Sequence, residues 1–417
     1  MTSKVVPMRP SATEPTTQIG MTAFTPIRIG PLTLRNRFIK AATHEGMAPH
    51  GMPAQMLTKH HEAVAAGGVG MTTVAYCAVS PDGRTFADQL MLAPQTVPAL
   101  RRLTDTVHRS GAAICAQLNH AGSFTFLPEL ATRHPLSASS GINPSGALTG
   151  HLFRTGMSTA DMAQIAGEFA AAAVLAREAG FDAVEIHMAH GYLLSQFLSP
   201  KYNRRTDDYG GSVEQRARFP AQVLRRVLDA VGRDLAVVCK LGATEGFHGG
   251  ATAQECARAA RNLEAEGAHL LVLSGGMNVE SPWVMFGNPL PQEAVPQPRN
   301  LLMRIVGRTL RYAPPREATF REMYQIEHAL QIRAAVQMPL AYLGGVKSRE
   351  NIDIAMASGF DCVAIGRALI HDPGLVNQFR TGGAVRSGCT SCNRCVLTMY
   401  SPEGTHCVLH EPEEARA

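Results

Sequence analysis

The sequence predicts an α/β protein closed into a (β/α)8 barrel, and two observations carry this. Eight short, apolar, β-rich runs alternate with amphipathic helical stretches, the pattern of βα units around a parallel sheet. The two longest connections both leave from the C-terminal ends of strands, where barrels of this kind gather their chemistry.

The eight runs lie at 37–43 (RFIKAAT), 71–76 (MTTVAY), 112–119 (AAICAQLN), 183–189 (AVEIHMA), 235–242 (LAVVCKLG), 269–275 (HLLVLSG), 340–345 (LAYLGG) and 362–367 (CVAIGR). Among the intervening helices, 158–179 is the clearest. Ser158 is its N-cap, apolar residues recur at spacings of three and four, and Gly180 stops it. Connections between elements usually run about two to six residues. Two exceed this, at 121–157 after the third strand and 276–318 after the sixth. The second carries Trp283, Phe286 and several prolines, which suits a lid over the barrel mouth. The expected organisation is a flexible leader over 1–22, the barrel over 23–385 and a short Cys-rich C-terminal extension over 386–417.

Composition removes several classes of function. The net charge of +5 comes from 39 basic and 34 acidic residues spread along the chain, without a basic block that could track a phosphate backbone, so no nucleic-acid partner is expected. The first 22 residues lack the apolar core of a signal peptide. No apolar run approaches the roughly 20 residues that span a bilayer, so no membrane association and a cytoplasmic location are expected. A homo-oligomer is compatible with the composition. Cys77, Cys115, Cys239, Cys256 and Cys362 stand singly in strand or helix segments and read as reduced core thiols. Cys389, Cys392, Cys395 and Cys407 crowd together near the C-terminus at a spacing that suggests a metal rather than a secreted disulfide framework.

The densest chemistry is in EIHMAHGYLLSQFLSPKYNRRTDDYGGSVEQRARF, residues 185–219. His187 ends the fourth strand, and His190 and Tyr192 lie on the following turn. Two imidazoles and a phenol at one strand end can hold a carbonyl oxygen and supply a proton. This segment resembles the Old Yellow Enzyme family of flavin reductases, and the resemblance extends from about Phe24 to Phe379. It implies that His187 and His190 hydrogen-bond a substrate carbonyl and that Tyr192 donates the proton. Some relatives carry Asn at the second position, so His190 marks a subgroup and leaves the protonation state of the pair open.

The same resemblance distributes an FMN site over the other strand ends. NRFIKAATHEGMA at 36–48 places Ala41, Ala42 and Thr43 along the isoalloxazine, with the Thr43 hydroxyl near its pyrimidine edge or C4 carbonyl, and Ala75 matches a small backbone contact on the second strand. AQLNHAG at 116–122 offers Gln117, whose amide donates and accepts at once, as the pyrimidine edge requires. Lys240 in CKLG stands where many relatives carry Arg facing flavin N1 and the C2 carbonyl. A cation there stabilises reduced flavin, and Lys supplies a point charge without the bidentate fork.

The phosphate end follows from barrel geometry. LGGVKSREN and AIGRALIHDP set Gly344, Gly345, Gly366 and Arg367 after the seventh and eighth strands, where backbone N–H groups commonly bind phosphate. No G-x-G-x-x-G opens a separate nucleotide domain. NADH or NADPH is therefore expected to share the substrate pocket, which gives ping-pong turnover.

The tail GCTSCNRCVLTMYSPEGTHCVL resembles the region after the barrel in 2,4-dienoyl-CoA reductase-like relatives, where four cysteines bind a [4Fe–4S] cluster. Here the gaps are two, two and eleven residues, and the relatives' middle gap is one residue longer. Four thiolates can also close a zinc site, so iron–sulfur, zinc and no metal all stay open. The leading expectation is an FMN-dependent ene-reductase that reduces a small-molecule enone with NAD(P)H. A flavin-dependent dehydrogenase or demethylase passing electrons to a partner is the alternative within enzymes, and a flavin-binding protein without turnover is the alternative outside them.

Overall fold

The protein was studied as a computed structural model, which describes residues 22–143, 146, 150–291, 293 and 319–411. Nearly all of the expected leader and residues 294–318 of the expected lid lie outside the described residues.

Eight parallel strands close a barrel: β3 (Phe38–Lys40), β4 (Met71–Ala78), β5 (Ala113–Asn119), β9 (Ala183–Met188), β10 (Ala236–Gly242), β11 (Leu270–Ser274), β12 (Leu340–Leu343) and β13 (Cys362–Ile365). All eight expected strands are present in the expected order. The first is shorter than expected: the ladder ends at Lys40, and only the bond from Ala41 N–H to the Ile365 carbonyl carries the pairing further.

Alternation along each strand sorts residues into two layers. Inward positions such as Ile39, Met71, Cys115, Ala183, Val238, Val272, Ala341 and Cys362 pack on one another inside the barrel. Outward neighbours such as Ile114, Val184, Val237, Leu271 and Val363 pack under the helices with Phe169, Phe219 and Leu263. Deleting one of these fully buried aromatic rings costs about 3–5 kcal/mol. The hairpin of β1 (Ile27–Ile29) and β2 (Leu32–Leu34) adds Ile29 and Leu34 to the inner layer. Its Gly30 lies against the ring of His269, just before β11, so the hairpin closes the N-terminal end.

The helix Thr159–Glu178 begins at Ser158, whose hydroxyl accepts from Asp161 N–H, and Gly180 follows it at φ +83. Ser212, Thr252 and Ser348 start three other helices with the same reciprocal capping, each cap contributing about 1 kcal/mol. The long segment after β5 contains a small sheet of β6 (Leu136–Ser137), β7 (Gly141–Ile142) and β8 (Phe153–Gly156), which the sequence did not suggest. No helix among the described residues is long and apolar enough to cross a membrane.

Candidate active site

The strand ends opposite the hairpin gather the polar side chains. His187 and Lys240 are register partners on β9 and β10, and Gln117 and Glu185 are register partners on β5 and β9. All four are buried. Gln117 donates from Nε2 to Glu185 Oε1 at 2.5 Å. Burial raises the Glu185 carboxyl above the usual carboxylate range while Lys240 pulls it back, and burial lowers the Lys240 ammonium while Glu185 supports it.

The turn after β9 is tightly pinned. His190 takes φ +64 and Gly191 φ +84, the His190 carbonyl accepts from Asn278 N–H, and Leu193 N–H donates to the His120 carbonyl. This holds the His187 and His190 ring centroids 5.1 Å apart and the His187 and Tyr192 centroids 4.7 Å apart. Ala189 N–H donates to His187 Nδ1 at 3.2 Å, so the neutral ring carries its proton on Nε2. His190 Nε2 lies 2.8 Å from Ser274 Oγ. Burial first, then neighbouring positive charge, holds both imidazoles well below their ordinary pKa. The pair that the sequence left undecided is therefore neutral at neutral pH. Burial raises the Tyr192 phenol, and its neighbours Tyr76, Asn278 and Thr85 counteract this.

The residues expected to hold FMN converge on the same mouth. Ala42, Ala75, Tyr76 and Tyr192 share one apolar cluster, and Thr43 Cγ2 lies beside the open face of Gly366. Both polar atoms of the Asn119 side chain are buried without a partner. Unsatisfied polar groups of this kind are costly unless a ligand completes them, so the residues present fit a polar, planar cofactor. The phosphate end has other commitments as well. Gly344 and Gly345 have positive φ, and a Cβ there would fall 2.7 Å from Gln325 Cγ and 2.9 Å from Met323 N, so packing alone already requires glycine. Arg367 donates to Asn393 Oδ1 in the cysteine tail and, at 2.8 Å, to the Phe286 carbonyl in the short helix Pro282–Phe286.

The tail folds back onto this end. Thr405 donates from N–H to the Glu45 carbonyl and from Oγ1 to the His44 carbonyl, and Gly46 abuts the Met399 carbonyl. All nine cysteines are free, with Cys389 buried and Cys392 exposed. Among the described residues, no three of the tail cysteine sulphurs lie mutually within 4.8 Å, whereas ligand atoms of His371, Cys407 and His410 do. His371 Nδ1 is 3.3 Å from Cys407 Sγ. Zinc–sulfur bonds of about 2.3 Å need sulphurs packed more closely. The four thiols therefore do not assemble a compact zinc tetrahedron among the described residues, and Cys407 lies against His371 instead.

The family described as NADH:flavin oxidoreductase / NADH oxidase matches residues 22–282, through β11 and into the following segment. The chain belongs to the NADH:flavin oxidoreductase family. Membership makes it an oxidoreductase of the FMN and NAD(P)H type. The phosphate end at Gly344 to Arg367 lies beyond the matched span. This NADH:flavin oxidoreductase is 40% identical over 395 residues to 4,4'-dithiodibutanoate disulfide reductase of Rhodococcus erythropolis, covering 93% of this chain and 95% of that protein. It is 32% identical to an NADH oxidase of Thermoanaerobacter brockii over 88% of its own length, but spans about half (52%) of that protein. In fold it is similar to the old yellow enzyme homologue of Zymomonas mobilis, with a TM-score of 0.69 at 21% identity over 92% of this chain and 98% of that one.

Three residues of the mouth escaped sequence reasoning. Glu185 sits two before His187 in an apolar strand, and period-two alternation could have placed both on the inner face. Ser274 ends β11, where its hydroxyl meets the His190 imidazole from the turn after β9, two strands away in the barrel. Tyr76 had no local signal, because its meeting with Tyr192 depends on how the turn after β9 folds.

Proposed function

We propose that this oxidoreductase is an ene-reductase acting on α,β-unsaturated carbonyl compounds by a ping-pong mechanism. The observation that carries the reading is the pairing of two neutral imidazoles with a phenol at 4.7 Å on one pinned turn. His187 Nε2–H donates to the carbonyl oxygen, and His190 supports the same oxygen. Polarising that carbonyl draws electron density from the β-carbon. Bound FMN would supply the hydride chemistry linking NAD(P)H to that carbon. Tyr192 then delivers a proton to the α-carbon, and neutral imidazoles, as donors without net charge, release the product without trapping an ion pair. Ala41, Ala42, Thr43, Ala75, Gln117, His187 and Lys240 would hold the ring system, Lys240 opposing charge that builds at the pyrimidine edge. Gly344, Gly345, Gly366 and Arg367 would hold the phosphate, with Arg367 exchanging its Asn393 partner for it. Cys389, Cys392, Cys395 and Cys407 would hold an iron–sulfur cluster if a metal is bound.

A second reading rests on the 40% identity to a disulfide reductase over nearly the full length of both proteins. In that case the same mouth would accept a dicarboxylic disulfide, hydride and one proton would yield two thiols, and Tyr192 would protonate the departing sulfur. Anaerobic stopped-flow measurement separates the two. Flavin reduced by NADH or NADPH should be reoxidised by 2-cyclohexenone faster than by 4,4'-dithiodibutanoate, and the reverse order selects the second reading.

A further inference from the structure

The proton donor at the active site is not alone. Tyr76, on β4, approaches Tyr192 with ring centroids 5.3 Å apart and planes inclined by 43°. Both side chains are buried, at 9% and 5% exposure. Their contact is built rather than incidental. Gln89, itself 1% exposed, donates from Nε2 to the Tyr76 carbonyl at 2.8 Å, and its Oε1 accepts from Thr85 N–H, so one amide ties the two backbones together. That clasp brings the buried Thr85 Oγ1 alongside the phenols, both of which it lowers. His44 also packs against Tyr76, with centroids 5.0 Å apart and planes inclined by 35°.

We infer that Tyr76 is a positioning residue for proton delivery, its hydroxyl donating to Tyr192 Oη so that the Tyr192 proton points at the substrate and the phenolate left behind is held. The inference rests on the ene-reductase reading. In the step itself the O–H bond of Tyr192 breaks, a C–H bond forms at the substrate α-carbon, and the negative charge passes from the enolate to the Tyr192 oxygen. Water returns the proton afterwards. A hydroxyl already beside that oxygen stabilises the charge as it appears, and such contacts commonly tighten only when substrate is bound. Two directions agree with this assignment. Burial raises both phenols, but the contact between them lowers Tyr192 and raises Tyr76, so the charge belongs on Tyr192. The other titratable groups facing this pair are His44 beside Tyr76, His187 beside Tyr192, and Tyr400 of the tail, which raises Tyr76 and is itself raised by Tyr192.

The test is Tyr76→Phe, which keeps the ring and removes the hydroxyl. Reduction of bound flavin by NAD(P)H should keep the parent rate. Reoxidation by 2-cyclohexenone should slow by about 10- to 100-fold, the worth of a hydrogen bond to a charged group, and the alkaline limb of its pH profile should move upward. Placing 3-fluorotyrosine at position 76, a stronger donor of unchanged shape, should move that limb downward, and this second arm serves if Tyr76→Phe loses flavin. An unchanged limb in both overturns the inference. Tyr192→Phe run in parallel separates the two levels. If Tyr192→Phe is slow while Tyr76→Phe matches the parent, only the role of Tyr76 falls, whereas a Tyr192→Phe enzyme at the parent rate removes the ene-reductase reading and this inference with it.

Discussion

Lys240 on β10 stands in register with His187 on β9, so a buried ammonium and a neutral imidazole occupy the same level of the barrel mouth. The cation is one reason that His187 stays unprotonated, and it leaves the ring as a donor through Nε2 alone. The charge of Glu185, which Gln117 orients from the next strand, favours the same ammonium. Charge at the mouth is therefore arranged as a unit across three strands.

Replacing Lys240 with Met removes the cation while keeping most of its length. The reduction potential of bound FMN should fall, because negative charge on the reduced ring loses its partner. Spectroelectrochemical titration of parent and variant checks this. A potential that is unchanged or higher contradicts the placement of Lys240 beside the flavin.

Arg367 is shared between the Phe286 carbonyl and Asn393. Arg367→Ala should weaken FMN retention by about 10-fold or more, the loss of one charge-assisted contact, with little effect on hydride transfer in the fraction that keeps flavin. Asn393→Ala should retain FMN at least as well as the parent. Equilibrium dialysis against FMN reads both, and equal loss in the two variants would show that the phosphate lies elsewhere.

Much of this was legible in the sequence, and the reasons are physical. The strands were legible because a parallel barrel strand is covered on both faces and reads as an apolar run. His187, His190 and Tyr192 were legible because their spacing is fixed by one strand end and one turn. Tyr76 and Thr85 were not, since Gln89 joins them through a fold of the chain that no local pattern encodes. The commitment of Arg367 to Asn393 was hidden for the same reason. It joins positions 26 residues apart through the return of the tail.

Acid should destabilise the fold through buried histidines. Burial lowers His44 and His120 to about 4 and His60 to about 3. A depressed pKa means that the unfolded chain takes up the proton first, so the stability these rings confer is complete above about 6.5 and is lost as pH falls towards about 4. Glu45, Glu185, Asp353 and Glu245, the last raised to about 7, have the opposite sign, but the lowered histidines outnumber them, since burial also lowers His61, His187, His190, His269 and His371. Thermal melts at pH 7.5, 6 and 5 should show a falling Tm, and a Tm that rises in acid contradicts the burial of these rings.

The cysteine tail meets the barrel through Thr405, Arg367 and the contact of His371 with Cys407, and its Tyr400 packs on Phe86, whereas Cys392 itself is exposed. Cys392→Ser should alter metal content or thermal stability while leaving hydride transfer in flavin-loaded protein within about twofold, as for a surface substitution away from the site. Anaerobically prepared protein that contains neither iron nor zinc removes the metal reading, and a large loss of hydride transfer would tie the tail to the chemistry directly.

The central claim is that Tyr192 supplies the proton after carbonyl-activated hydride addition, and half-reaction kinetics of Tyr192→Phe test it most directly. In anaerobic stopped flow, reduction of bound flavin by NAD(P)H should survive at nearly the parent rate. Reoxidation by 2-cyclohexenone should slow by about 10²–10⁴, the usual worth of a positioned general acid. Reoxidation by a nitroalkene should be affected less, because a nitronate can leave and be protonated in water. A Tyr192→Phe protein that reduces 2-cyclohexenone at the parent rate would contradict the account.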